Sequence, residues 1–123
     1  MARSIKTDTG IIEVQDAVLA NLAGIATTEC YGVAGMAARN IQDGIAGVLR
    51  HDSLTRGVTV ASSDDGESLV VTVNIVVGYG VNIGEVARNI RERVRYTLSH
   101  CSGFPVETVN VNVRGVKVTA LND

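Results

Sequence analysis

The chain of 123 residues fits one domain, residues 1–123, and leaves no room for a second. Because hydrophobic residues make up 46% of it and aromatic residues only 3%, the core must be built mainly from Val, Ile, Leu and Ala. The formal net charge of -2 gives no electrostatic attraction to nucleic acid or to an anionic membrane, since both bind proteins with a marked basic excess.

The N-terminus and the cysteines bear on cellular location. No basic stretch leads into an apolar run between Met1 and Gly10, and no later segment approaches ~18 consecutive apolar residues. We therefore expect a cytoplasmic protein without direct membrane insertion, which reaches a membrane only through a partner. Cys30 and Cys101 lie far apart and outside any CxxC spacing, so both are expected to be reduced packing residues.

The chain begins with a predicted strand and a predicted helix. β-branched residues around a glycine predict a short strand over 9–14. From Asp16 onward, apolar residues recur at helical spacing until Thr27 and Thr28, which predicts a helix with one face in the core. The predicted buried stripe consists of Val18, Leu22, Ile25 and Ala26, with Leu19 widening it.

The middle of the chain gives weaker signals. Two glycines within residues 30–35 predict a loop in which backbone segments pack closely. Apolar residues at helical intervals over 37–50 predict a second helix, but Gly44 and Gly47 each cost about 1 kcal/mol relative to alanine. That helix therefore requires tertiary support.

A hairpin and a long helix are predicted next. Residues 57–61 and 69–77 alternate as half-buried strands on either side of a turn at Asp65-Gly66. Apolar residues then keep a helical phase from Ile83 to Cys101. This phase predicts a helix whose apolar stripe, Cys101 included, lies in the core.

The final predicted strand covers residues 109–118. Valines alternate with polar residues up to Arg114, and the alternation changes its parity at Gly115. A β-bulge at this glycine, which adds one residue to the strand, would explain the change.

The order of these elements predicts the fold class. Strand, helix, weak helix, strand, strand, helix and strand are typical of an α+β two-layer sandwich, with a small mixed or antiparallel sheet and helices on one face. A ferredoxin-like arrangement has this order and is the topology that we name as a possibility.

Four stretches of the sequence are distinctive when they are taken in order. They are Gly10-Ile11-Ile12-Glu13-Val14 with Val18-Leu19-Ala20, Cys30-Tyr31-Gly32-Val33-Ala34-Gly35-Met36, Val76-Val77-Gly78-Tyr79-Gly80 with Glu85-Val86-Ala87, and Gly103 to Val106 with Val109-Asn110-Val111-Asn112-Val113-Arg114-Gly115-Val116. Together they resemble the alkaline shock protein, or envelope stress response, family of Gram-positive bacteria. The likeness runs along nearly the whole chain and is greatest to short members that consist of the core domain alone.

The resemblance implies a non-catalytic scaffold or adaptor linked to cell-envelope stress or homeostasis. Some family members associate with the membrane through a separate anchor protein, and some are encoded beside a fatty-acid kinase gene, which makes both proteins candidate partners. The resemblance transfers no active-site residue. Gln15 stands where family members usually place a serine-like helix cap, so the first helix is expected to start at Asp16.

The glycine-rich turn from Gly78 to Gly84 is a candidate phosphate site. It lies between a predicted strand and a predicted helix, as do loops that cradle phosphate at a helix N-terminus. Its spacing differs from GxGxxG, and no carboxylate within 109–118 could hold a ribose. Asn82 and Glu85, three residues apart, explain the same stretch as helix capping.

His51 and His100 are the only histidines. His51 beside Asp52 is typical of a solvated helix end, where histidine complements the helix macrodipole. His100 lies next to Cys101, which is expected to be an inert core thiol. No complete set of nucleophile and base is visible, so we predict no enzymatic activity, no catalytic residue, no cofactor and no metal site.

Three arginines form a candidate basic strip. Arg88, Arg91 and Arg95 fall on one flank of the last helix and could bind an acidic partner or phosphate groups. Glu85 and Glu92 lie one turn away and would partly neutralise them. A salt-bridged face exposed to solvent is therefore the favoured interpretation.

The sheet offers a better candidate interaction surface. If Val71, Val111 and their alternating neighbours face the helices, the opposite face is nearly free of charge, and Val70 and Val76 lie on it. Exposed sheets usually carry charges that discourage association, so this face or its edge is expected to mediate self-association or docking, with a simply solvated face as the alternative. The candidate residues are Thr72, Asn74, Asn110, Asn112 and Arg114.

The sequence thus predicts a homo-oligomerising adaptor that binds protein partners. The first alternative is a nucleic-acid-binding module on the small sheet, but the outward positions lack the aromatic residues that stack on bases, so nucleic acid is not favoured as a partner. The second alternative is a nucleotide or phosphate sensor that uses the turn from Gly78 to Gly84.

Overall fold

The computed structural model describes residues 2–37, 57–64 and 68–118. The weak helix predicted over 37–50 and the turn predicted at Asp65-Gly66 fall almost wholly outside these residues. The elements, in chain order, are β1 (Ala2–Thr7), β2 (Gly10–Gln15), α1 (Asp16–Thr28), β3 (Val33–Met36), β4 (Val58–Ser62), β5 (Leu69–Gly78), α2 (Ile83–Ser102) and β6 (Val106–Lys117).

β5 is the central strand of a mixed four-stranded sheet. β4 pairs antiparallel with its first half, from Ser62 opposite Leu69 to Val58 opposite Val73. β3 pairs antiparallel with its second half, and β6 runs parallel to its full length. The predicted hairpin of β4 and β5 is therefore confirmed, as is the α+β class with a mixed sheet.

Two strands were not predicted. β1 pairs antiparallel with β2 in a separate two-stranded sheet, and its polar residues show no apolar alternation that would reveal it. β3 lies where a loop was predicted over 30–35, and this part of the prediction is wrong for Val33–Met36. A strand of four residues that contains a glycine carries little local signal, because its pairing with β5 creates it.

α1 begins at Asp16, directly after Gln15, whose side chain makes no capping hydrogen bond. The predicted start of the helix is therefore confirmed. Within its predicted buried stripe, Leu19 and Ala26 are buried and Leu22 packs against the core, whereas Val18 and Ile25 are exposed and were predicted wrongly. Small residues let this helix pack closely on its neighbours. The buried residues are Leu19, Ala20, Ala23, Gly24, Ala26 and Thr27.

α2 was predicted correctly from its periodicity. It is capped at its N-terminus by Asn82, whose side chain accepts a hydrogen bond from the Glu85 amide at 3.1 Å, and it ends at Gly103 in the left-handed conformation. Its buried residues meet those of α1 and the alternating residues of β5 in one core. On α2 they are Val86, Ile90, Val94 and Leu98; on β5 they are Leu69, Val71, Val73, Ile75 and Val77.

β6 contains two bulges. The register with β5 shifts between Ile75 and Val76, which pair with Val113 and Gly115, so Arg114 is the extra residue. This is the bulge predicted at Gly115. A second shift, at the start of the strand, leaves Glu107 as an extra residue and was not predicted.

Candidate interaction surfaces

One face of the sheet points away from the helices. Along β5, the residues that alternate with the core residues lie on it, and the strand register adds residues of β4 and β6. Rows such as Thr59, Thr72 and Asn110 therefore cross the three strands. We call this set the outer sheet face: Thr59, Ala61, Val70, Thr72, Asn74, Val76, Thr108, Asn110 and Asn112.

The outer sheet face as defined here carries no charged side chain. The sequence predicted a face nearly free of charge that includes Arg114, and the bulge makes Arg114 the extra residue of β6. Ala61 and Asn110 are exposed, and Thr72 and Asn112 are half-buried. Asn74 and Val76, by contrast, are only 1% and 2% exposed, so these two positions of the face offer no contact surface. The structure thus brings the five candidate residues together but does not expose them equally.

Asn74 is the centre of a hydrogen-bond network. Its side-chain amide donates to the Gly57 carbonyl at 3.2 Å. Its side-chain oxygen accepts from Nδ2 of Asn112 at 3.3 Å and from Nε of Arg114 at 3.0 Å. Three partners satisfy a buried amide that would otherwise destabilise the fold. The network ties β4, β5 and β6 together at the bulge, and it holds the Arg114 charge at the margin of the outer sheet face.

The arginines of the candidate basic strip have different surroundings. Arg88 forms an ion pair with Glu85, which confirms part of the predicted neutralisation. Within the described ranges, no carboxylate pairs with Arg91 or Arg95, and Glu92 does not do so.

A groove runs between α2 and β6. It consists of two depressions of about 340 and 270 Å³. The arginines of the basic strip lie on its helix side, and on its strand side it borders Glu107 and the segment from Thr108 to Val111. We call it the β6 groove. It is the place where the basic strip meets the sheet.

The glycine-rich turn from Gly78 to Gly84 uses its backbone amides internally. The Gly78 amide donates to the Gly32 carbonyl at 2.9 Å, and the Tyr79 amide donates to the Lys117 carbonyl at 3.0 Å. Asn82 takes the amide of Glu85, whose carboxylate adds negative charge at the helix N-terminus. These contacts are those of a helix cap and oppose an anion site.

The reactive side chains do not assemble. The ring of His100 stacks on Tyr96, with centroids 5.4 Å apart, and has no carboxylate partner in the part of the chain that the structure describes. The same part holds no group of three or more His, Cys, Asp or Glu residues that could bind a metal ion. His51 lies outside the described residues.

The two cysteines differ from each other. Cys101 is exposed, so the prediction of a core thiol is wrong, because the buried stripe of α2 ends at Leu98. Cys30 is half-buried and donates to the Ala26 carbonyl at 3.5 Å. Burial raises the pKa of its thiol; the Arg93 cation opposes this rise and the Glu29 carboxylate adds to it. Cys30 therefore stays protonated at neutral pH.

Two exposed tyrosines were not identified from the sequence. Tyr31 and Tyr79 are 85% and 76% exposed, and each is followed by a glycine with a φ near +90°. The hydrogen bond between Gly78 and Gly32 joins the two loops, so both tyrosines lie at the same end of the fold. The signal that could have revealed them is the sequence Tyr-Gly-Val, which occurs at both places.

Similar proteins are known. The model of the ASP23 family, described as having a cell envelope-related function, matches residues 4–118. The uncharacterized protein YloU of Bacillus subtilis is 40% identical over 120 residues, which cover 97% of this chain and 98% of that protein. The uncharacterized protein Spy1614 of Streptococcus pyogenes is 42% identical over 123 residues, which cover 99% of this chain and 100% of that protein. Among solved structures, a MamM-CTD variant has a TM-score of 0.49 and 13% identity, over 86% of this chain and 100% of that chain.

Proposed function

The chain belongs to the ASP23 family, whose function is related to the cell envelope, and on this premise we propose that it is a non-enzymatic adaptor. It works by associating with itself and by binding protein partners.

The observation that carries this proposal is the uncharged outer sheet face. Its exposed and half-buried positions are occupied by Ala, Val, Thr and Asn residues, and Arg114 at its margin is the nearest cation bound to it. Charged side chains on an open sheet oppose docking, because removing their hydration water costs free energy. The outer sheet face has no such charges and avoids this cost. It is therefore suited to cover by another protein surface.

The arrangement of reactive groups supports a role without catalysis. Acid–base or nucleophilic chemistry requires a nucleophile, a base and an orienting group within hydrogen-bond reach of one another. In the described segments, His100 contacts Tyr96 and the protonated Cys30 contacts a backbone carbonyl. Neither residue is arranged for such a step.

The location and the partners are part of the same proposal. No helix in the described residues is both long and apolar enough to cross a membrane. We place the protein in the cytoplasm, peripheral to the membrane through an anchored partner protein, and we name a fatty-acid kinase as a second candidate partner. Mixing the purified chain with each purified partner and measuring complex formation by light scattering tests both assignments, and an unchanged mass with either protein contradicts that assignment.

The alternatives have less support. A single-strand-binding sheet needs aromatic side chains on its open face, and Tyr31, Tyr79 and Tyr96 lie elsewhere. A phosphate sensor needs free amides in the glycine-rich turn, where Gly78 and Tyr79 are already bonded.

The test of self-association is a charge placed in the middle of the outer sheet face. Thr72→Lys should lower the mass of the assembly when mass is measured by light scattering over a concentration series. Ser99→Lys, on the exposed side of α2, is the matched control and should leave the mass unchanged. A wild-type chain that stays monomeric at all concentrations would contradict the proposal.

A further inference from the structure

β6 is a long strand with one open edge. It has 12 residues and pairs with β5 along one side. No other strand in the described ranges pairs with its opposite side. Because alternate N–H and C=O groups of a strand point to opposite edges, β6 presents a row of backbone groups that can pair with another strand.

The middle of β6 lacks the features that protect open edges. Between the bulges at Glu107 and Arg114, the segment 108–113 keeps a regular register and contains neither a charge nor a proline. On the opposite side of the sheet, β4 and β3 have only five and four residues. Among the strands that the structure describes, β6 therefore offers the longest edge on which a strand could be added.

The helix-facing valines of β6 are incompletely covered. Val111 and Val113 are half-buried, whereas Val73 and Ile75, their partners on β5, are fully buried. Val111 lines the β6 groove. A strand added at this edge would cover the free flank of both valines and gain about 25 cal/mol for each Å² of apolar surface removed from water.

The charges of β6 identify its partner. Glu107 lies at the start of the strand, and Arg114 and Lys117 lie near its end. Two copies of β6 that pair antiparallel bring each Glu107 to the basic end of the other copy, whereas a parallel pair would place like charges side by side. The ends of the strand are thus complementary to each other in the antiparallel direction only, while Arg91 and Arg95, which border the β6 groove, add positive charge beside the edge in both copies.

We propose that β6 pairs antiparallel with β6 of a second copy, about a two-fold axis at Val111. This register places Val109 opposite Val113 and Asn110 opposite Asn112, so that valine meets valine on the helix side and asparagine meets asparagine on the outer side. It joins two four-stranded sheets into one continuous sheet. The inference rests on the proposed self-association and adds a second contact to the outer sheet face, at the edge of the sheet and with two-fold symmetry.

Disulfide cross-linking tests the register. In a Cys101→Ser background, which removes the exposed native thiol, Val111→Cys places two thiols at the two-fold axis. Mild oxidation should convert most of this variant to a covalent dimer. Val116→Cys, which this register places opposite Val106 rather than opposite its own copy, is the matched control and should remain monomeric on denaturing gels. Thr72→Cys, in the middle of the outer sheet face, reports on the other surface.

The outcomes separate the two proposals. If Thr72→Cys cross-links and Val111→Cys does not, the edge pairing is overturned while self-association through the outer sheet face stands. If the wild-type chain is monomeric and no variant cross-links, both proposals fail.

Hydrogen exchange of the wild-type chain gives a measurement that needs no substitution. The amides of 108–113 that point away from β5 should be protected at high protein concentration and exchange rapidly on dilution. Protection that is independent of concentration would overturn the edge pairing even if Val111→Cys fails to fold.

Discussion

The side-chain oxygen of Asn74 accepts a hydrogen bond of 3.0 Å from Nε of Arg114, so the bulge of β6 is fastened to the middle of β5. Asn74→Ala leaves the Gly57 carbonyl and two side-chain donors without this partner. We expect the free energy of unfolding to fall by about 1–3 kcal/mol, measured by urea denaturation. Asn110→Ala removes the same side chain from an exposed position of the outer sheet face and should change stability by less than about 0.5 kcal/mol. Equal effects of both substitutions would contradict the structural role of Asn74.

Gly32 combines backbone strain with a close contact. Its φ is +91°, and an added Cβ would lie 2.6 Å from a methyl group of Val86. Gly32→Ala should therefore destabilise the fold by about 2–4 kcal/mol in thermal or urea unfolding. Gly80→Ala shares the left-handed conformation, at φ +93°, but meets open space and should cost only about 1 kcal/mol. The difference between the two variants measures the steric contact, and its absence would show that Val86 moves aside.

Arg3 attaches the β1–β2 hairpin to the rest of the fold. Its Nε lies 3.1 Å from a carboxylate oxygen of Asp16, without the geometry of a hydrogen bond, and its Nη1 donates to Ser62. An isolated two-stranded hairpin is marginally stable in water. Arg3→Ala should thus accelerate hydrogen exchange in β1 and β2 while the amides of β5 keep their protection. Unchanged exchange in the hairpin would show that other contacts hold it.

The two cysteines should differ in reactivity. At pH 8, iodoacetamide should modify the exposed Cys101 well before Cys30, because burial raises the pKa of the Cys30 thiol and leaves it with little thiolate. Arg93→Ala removes the cation that opposes this shift and should slow the reaction of Cys30 further.

The raised pKa of Cys30 also makes the stability of the fold depend on pH. Well below the ordinary pKa of a thiol, Cys30 is protonated in both the folded and the unfolded chain. Because burial raises the pKa in the folded chain, the unfolded thiol ionises first as the pH rises, and this contribution to stability is then lost. Rapid and equal modification of both cysteines at pH 8 would contradict the burial of Cys30.

Reversing the charges at the two ends of β6 tests the proposed antiparallel dimer. Glu107→Lys should weaken the proposed dimer roughly tenfold, because each of two exposed pairs contributes up to about 1 kcal/mol and becomes repulsive. Adding Lys117→Glu to this variant should restore part of the affinity, measured by analytical ultracentrifugation at low ionic strength. Lys6→Glu, on the exposed side of the hairpin, is the control for net charge. Weakening by Lys6→Glu as well would point to a general effect of charge.

The sequence predicted the elements whose signal is local and strong. The stripe of α2 persists over many residues, and the hairpin of β4 and β5 alternates clearly on both sides of a turn. The parity change at Gly115 predicted a bulge that the register confirms. β1 and β3 were missed because polar residues or glycines occupy strands that form only when a partner strand is present. The sheet order likewise depends on contacts between distant segments.

The sequence predicted which residues lie on the outer sheet face, but not which of them are exposed. Strand alternation correctly placed Thr72, Asn110 and Asn112 on one face, since side chains alternate with a period of two. It could not show that Asn74 is buried, because that depends on the Gly57 carbonyl and on an arginine turned by the bulge. The prediction for α1 was wrong at Val18 and Ile25 for a related reason: small residues of this helix pack inward and leave these two larger side chains outside.

The central position of β5 has a consequence for how the chain folds. β4 precedes β5 by a short connection and can pair with it early, whereas β6, the parallel partner on the other side, can pair only after the intervening helix α2 has formed and crossed back. Until then β5 keeps one full-length side unpaired. The slowest step of folding is therefore expected to be the arrival of the final strand, and crowded nascent chains are most vulnerable to aggregation before it.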